Sequence, residues 1–179
     1  MVKMPSMLPR RFPAVEVRDT HVGLGVFTRQ RFRRYQIVGD VCGTAFFDTT
    51  YDSAYCMELG PDRVLEPEGV FRYLNHSCEA NCEIFYYEPL EPEDEPPDRL
   101  WLKALRPIAA GEELTIDYAW PAERAIPCRC GAANCRGWIV AAEELALIAI
   151  VERDSDGGAK AIANCKLQNA NLGHSSTPI

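Results

Sequence analysis

The chain has 179 residues, 47% of them hydrophobic and 9% aromatic, which suits one cored domain with a tail. Its net charge is −7, yet residues 1–34 carry eight Lys or Arg against Glu16 and Asp19, which leaves the acid excess on the remaining body. An acidic body repels phosphate backbones and attracts basic partners, which argues against direct nucleic-acid binding. No apolar run is long enough to span a membrane.

In chain order, VKMPSMLPRRFP lacks the apolar stretch of a signal peptide, and residues 1–13 are expected to form an extension. Eight cysteines in such a chain point to thiols or metal rather than disulfides. Strand-like runs, β-branched or aromatic and bounded by turn residues, follow at 14–18, 25–28, 36–42, 54–59, 82–87, 100–105 and 112–116. Their shortness predicts several small sheets. GVFRYLN (69–75) reads as a single helical turn. EPLEPEDEPPD (88–98) holds six acids and four prolines, so it reads as an exposed loop. AAEELALIAIVERD (141–154) predicts one helix, and the polar stretch 155–179 a mobile tail in which Cys165 is incidental.

Four motifs carry chemistry. FRYLNHSCEANC (71–82) sets an amide, an imidazole, a hydroxyl and a thiol side by side at Asn75, His76, Ser77 and Cys78. CRCGAANC (128–135) brings Cys128, Cys130 and Cys135 within eight residues, with Gly131 permitting a tight turn. Zinc prefers four ligands in a closed structural site, so a fourth must come from elsewhere, and Cys78 is a candidate. The bland alternatives are buried thiols or a local disulfide, which the CxC spacing strains. HVGLGV (21–26) is a glycine pair between two apparent strands, without the third glycine of a dinucleotide fingerprint. GEELTIDY (111–118) is a turn and strand ending in Asp117 and Tyr118, which by itself reads as a buried tyrosine with a satisfied hydroxyl.

Taken together and in this order, the GxG turn, RYLNHSCEANC, GEELTIDY and CxCxxxxC resemble the SET-domain protein lysine methyltransferases with a cysteine-rich post-SET segment. The resemblance covers roughly residues 14 to 140. It implies a mainly β SET-domain fold: several short antiparallel sheets, a C-terminal pseudoknot through the NHSC loop, a zinc-bound post-SET segment and one C-terminal helix. The implied organisation is a SET domain over 14–120, the post-SET segment over 121–140 and the helix over 141–154.

By the same resemblance, Val22, Gly23, Leu24 and Gly25 match the family's turn against S-adenosyl-L-methionine. Asn75 and His76 match its main cofactor-contacting pair, and Tyr55 a tyrosine near the cofactor's methionine part. Cys78, Cys128, Cys130 and Cys135 match the zinc ligands, Arg72 a structural brace, and Tyr118 the catalytic tyrosine. Cys42, Cys56 and Cys82 are expected to be small core residues. The implied reaction is in-line transfer of a methyl group from a sulfonium to a lysine ε-amine in a basic protein, such as a histone or another lysine-rich tail. The amine must sit about 3 Å from the methyl carbon and must be deprotonated, against a free pKa of about 10.4. A neighbouring sulfonium and desolvation both favour the neutral amine, so no dedicated base is needed.

Three residues depart from the family's pattern. Ile116 stands where Phe or Tyr is usual, Val41 replaces a frequent tyrosine in Asp40-Val41-Cys42-Gly43, and Leu24 replaces an aromatic. Losing bulk and a hydroxyl from the expected channel implies di- or trimethyl product. The resemblance also implies an intracellular protein, nuclear and chromatin-associated if eukaryotic, cytoplasmic if bacterial. The competing readings are a catalytically inactive SET-like module that binds a basic tail, and a zinc-stabilised nucleic-acid binder.

Overall fold

The structure, a computed structural model, describes residues 14–47, 51, 53–60, 62–86 and 98–148. The expected extension 1–13, the acidic loop up to Pro97 and the tail 155–179 with Cys165 lie outside the described residues.

The first sheet begins with a hairpin of β1 (Val15–Thr20) and β2 (Gly23–Thr28), in register from Val15 opposite Thr28 to Thr20 opposite Gly23. The later strand β9 (Glu113–Ile116) joins β2 antiparallel, and β6 (Asn75–His76) lies on its other side, giving the order β1-β2-β9-β6. The second sheet has the order β4-β5-β3-β8-β7. It is built from β3 (Ile37–Phe46), β4 (Met57–Glu58), β5 (Val64–Pro67), β7 (Cys82–Phe85) and β8 (Arg99–Ala104). A two-stranded ribbon of β10 (Ile126–Pro127) and β11 (Trp138–Ile139) encloses the cysteine segment.

Alternation decides which face is buried. Along β8, Leu100, Leu102 and Ala104 are fully buried, while Arg99, Trp101 and Lys103 face outward and Lys103 pairs with Glu83 at 2.6 Å. These side chains meet Val41, Leu65, Phe71 and Leu114 in one core shared by both large sheets. Each buried leucine of this kind contributes about 2 kcal/mol of apolar burial.

Most of the expected strands form, and GVFRYLN supplies a 3-10 turn at Val70–Tyr73. The run 54–59 pairs only over Met57–Glu58. Three corrections follow. The sheets are not all antiparallel, because β6 runs parallel to β9, with Asn75 opposite Thr115 and His76 opposite Ile116. Nor is Cys42 a core residue: it falls on the exposed side of the β3 pleat, whereas Cys56 and Cys82 are buried. Cys56 also departs from the free-thiol expectation, being disulfide-bonded. The C-terminal helix starts at Ala142 as a 3-10 turn and is helical to Ile148, beyond which it leaves the described residues.

The parallel pair sits where the resemblance implies the pseudoknot. β9 is held by the 74–81 loop at both ends: the Ser77 N–H donates to the Ile116 carbonyl at 2.9 Å, and the Asn81 side chain grips the start of the strand. Its amide donates to the Glu113 carbonyl at 2.7 Å, and its carbonyl accepts the Thr115 N–H at 2.9 Å.

Candidate active site

β9, lying between β2 and β6, helps bring the four motifs to one place. At the β1–β2 turn, Gly23 has a φ of 121°, a conformation L side chains rarely adopt, and nothing lies within 4 Å of where its Cβ would be. Gly25 is small for a different reason: a Cβ there would stand 2.4 Å from Glu113 Oε1 and 2.9 Å from Asn75 Nδ2. The Asn75 amide takes up that space, donating to the Leu24 carbonyl at 2.9 Å and to Glu113 Oε1 at 2.8 Å. Asn75 therefore ties the glycine turn to β9. Val22 and Leu24 remain 45% and 44% exposed, leaving an open apolar rim.

Tyr118 follows β9. Its hydroxyl donates to the Leu74 carbonyl at 2.7 Å and its backbone N–H donates to His76 Nδ1 at 3.2 Å. Its ring lies 5.4 Å from the rings of both His76 and Trp120. Burial, with the nearby Tyr55 and Glu113, pushes the Tyr118 pKa up to about 12, so the hydroxyl stays protonated. Tyr55 is exposed, meets Tyr73 edge-on at 6.3 Å and lies under the Arg72 guanidinium at 3.8 Å. Arg72 braces this corner, pairing with Glu66 and donating to the Pro67 carbonyl at 3.1 Å.

His76 is buried, and burial pushes its pKa down to about 4, against the opposing pull of Asp117. The ring is therefore neutral at physiological pH. Because Nδ1 accepts the Tyr118 N–H, Nε2 carries the hydrogen, and it lies 3.4 Å from Cys78 Sγ. The close approach of Asp117 at 3.4 Å is not an ion pair in this state.

The thiols of Cys78, Cys128, Cys130 and Cys135 lie in one cluster. Cys78 Sγ lies 3.8 Å from Cys128 Sγ and 3.9 Å from Cys135 Sγ, while His76, Cys78, Cys128 and Cys130 place ligand atoms within 4.8 Å of one another. Sulfurs bound tetrahedrally to zinc at about 2.3 Å stand about 3.8 Å apart, so the donor set fits that ion. Backbone N–H groups of Cys130, Arg136 and Gly137 point at Cys128, Cys78 and Cys135 Sγ, each at 3.4 Å, the donors that thiolates need. Burial pushes the Cys78 and Cys128 thiols up. Burial also opposes ionisation of Cys130, but hydrogen bonds from the Cys78 and Ala132 backbones and from Cys128 and Cys135 outweigh it, pulling its pKa down to about 6. The imidazole is a poor ligand here, since the nitrogen facing the thiols carries the hydrogen.

Several contacts at the site are invisible in the motifs. Glu79 accepts from the Ala133 N–H at 3.1 Å and the Asn134 amide at 2.6 Å, and His21 Nε2 lies 2.7 Å from the Arg129 carbonyl. Arg136 forks onto both oxygens of Asp117 at 2.8 and 2.7 Å. Their only sequence signal is position in or beside a motif, since pairing across 19 to 108 residues has no local pattern.

The family model described as the SET domain matches residues 23–119, and the chain belongs to that family. Its thiol cluster fits the post-SET segment. The chain is 32% identical over 134 residues to "Histone-lysine N-methyltransferase trr" of Drosophila melanogaster, covering 65% of this chain and 5% of that protein. It is 31% identical over 111 residues to "Histone-lysine N-methyltransferase, H3 lysine-4 specific" of Emericella nidulans, covering 58% of this chain and 9% of that protein. The chain thus spans a small fraction of the curated relatives it matches. Among solved structures it is similar to KRYPTONITE in complex with mCHH DNA, H3(1–15) peptide and SAH. That likeness has 25% identity and a TM-score of 0.59, over 70% of this chain and 29% of that one. Among the described residues no helix is long and apolar enough to cross a membrane.

Proposed function

We propose that this chain transfers methyl groups from S-adenosyl-L-methionine to the ε-amine of a lysine in a basic protein, with histone tails the first substrates to try. The observation that carries the reading is Tyr118. Its partly buried hydroxyl is anchored on the Leu74 carbonyl at 2.7 Å, where the glycine turn, the Asn75-His76 strand and the thiol cluster meet. The relatives' names and the SAH and H3 peptide bound to KRYPTONITE support the same chemistry.

When bound, S-adenosyl-L-methionine supplies a methyl group made electrophilic by its sulfonium. Val22, Gly23, Leu24, Gly25, Tyr55, Asn75 and His76 would hold it, and the open rim of the glycine turn fits such a ligand. His76 commits its ring to Cys78 and Tyr118, so its share of the contact falls to its main chain. Tyr118 orients the incoming amine. Its hydroxyl is not a base, because it stays protonated to about pH 12, and a rise of rate with pH reports the substrate amine instead. Cys78, Cys128, Cys130 and Cys135 would hold one zinc ion, whose role would be structural, pinning the post-SET segment to the NHSC loop. The acidic body attracts a basic substrate and disfavours nucleic acid. In place and partner the reading is a chromatin protein if the source is eukaryotic.

The test is incubation with methyl-labelled S-adenosyl-L-methionine and a panel of histone H3 tail peptide and other lysine-rich proteins, read by mass spectrometry. Label on a lysine supports the reading, and Tyr118→Phe should lower turnover by about a hundredfold or more with little change in cofactor affinity. The buried, hydroxyl-free Ile116 predicts di- or trimethyl-lysine in the same spectra. Cofactor binding without transfer to any substrate, unchanged by Tyr118→Phe, would leave the inactive tail-binding module.

A further inference from the structure

The backbone is bent immediately beyond Tyr118. Ala119 has a φ of 45°, in the left-handed region where an L residue with a Cβ is strained. One visible interaction offsets that strain: the Ala119 N–H donates to Asp117 Oδ1 at 3.1 Å, closing a turn across Tyr118. Asp117 is not free to swing away. Arg136 grips both its oxygens at 2.8 and 2.7 Å, in a pair whose side chains are only 14% and 34% exposed. Arg136 is itself fixed from behind, because it follows Cys135 directly and its own N–H points at Cys78 Sγ at 3.4 Å. A continuous set of contacts thus runs from the thiol cluster through Arg136 and Asp117 to the bend that separates Tyr118 from Trp120.

From this geometry we infer that Arg136 and Asp117 are positioning residues for Tyr118. The post-SET segment then does more than cover the site: through this ion pair it holds Ala119 in its strained conformation, and so sets the angle between the Tyr118 and Trp120 rings. The inference rests on Tyr118 acting as proposed above, but the bend itself can be tested without any reaction. Released from Arg136, Asp117 accepts the Ala119 N–H less constantly, Ala119 relaxes to negative φ, and Tyr118 is displaced. An ångström of misplacement is enough to slow a reaction about a hundredfold.

Arg136→Gln, checked first for zinc content and thermal unfolding, is the main variant, with Arg136→Lys as the substitute should the glutamine form fail to fold or load zinc. Two readouts are taken. Amide hydrogen exchange at Ala119 should speed up about tenfold or more, while exchange at Thr115, held by Asn81, stays as in the wild type. Turnover should fall about tenfold or more with the KM for S-adenosyl-L-methionine little changed. Adding Ala119→Gly to Arg136→Gln should recover part of the lost turnover, since glycine adopts the bend unaided, a rescue that general destabilisation does not produce. A zinc-loaded variant with wild-type exchange at Ala119 overturns the inference even if the protein proves to have no methyltransferase activity. So does a loss of turnover that Ala119→Gly leaves unrelieved. Wild-type inactivity with accelerated exchange in the variant sinks the function and keeps the positioning contact.

Discussion

Single residues here are tuned by what packs on them. Tyr118 is held at its hydroxyl and at its N–H, and the desolvation that raises its pKa to about 12 keeps it a neutral donor. Two cysteines differ in how far packing covers them. Cys82 is buried on β7, and burial pushes its pKa up to about 12, so it is inert. Cys42 points outward from β3. In zinc-loaded protein, brief native alkylation followed by peptide mass mapping should therefore label Cys42 and spare Cys82. The four cluster thiols should become reactive only after the metal is stripped. Labelling of the cluster at full metal content would contradict the ligand assignment.

At the scale of elements, β9 depends on a side chain that is not part of any strand. Asn81 is 2% exposed and satisfies the Glu113 carbonyl and the Thr115 N–H, doing for β9 what a neighbouring strand would do. Asn81→Ala leaves both half-buried groups without this partner, which costs about 2 kcal/mol. Denaturant unfolding should show that loss as a lower midpoint with an unchanged slope. Asn81→Asp should also destabilise, because it keeps the acceptor for Thr115 but removes the donor to Glu113. The hairpin of β1 and β2 is held by its own backbone register and by pairing with β9, so its formation is less sensitive to any one side chain.

For the whole molecule, the cysteine cluster joins segments far apart in sequence, since Cys78 lies 50 residues before Cys128. The core of the two large sheets is assembled without the ribbon of β10 and β11, whose residues fall outside it. Chelation should release about one zinc per chain, stop methyl transfer and expose the 126–139 segment to proteolysis, while the sheets keep their circular dichroism. Metal analysis should find no zinc in Cys78→Ser and full zinc in Cys82→Ser. Equal loss in the two variants would rule out Cys78 as a ligand.

Much of this was legible in the chain. β8 and β9 alternate with period two, because one face of each must be apolar, and β1 and β3 stand out as β-branched runs bounded by turn residues. The thiols and the NHSC cluster stand out because those residue types rarely gather by chance. β5 and β6 were not legible: β5 is four residues ending in proline, and β6 is two polar residues with no pattern to detect. β6 exists only because β9 passes beside it. The same holds for the Arg136–Asp117 fork, the grip of Asn81 and the turn of the His76 ring toward Cys78. Local sequence determined which segments could be strands and which side chains could do chemistry, since propensity and pattern are short-range. Tertiary structure alone decided who meets whom, because the pairing of β9 with the 74–81 segment brings together groups that no local periodicity relates.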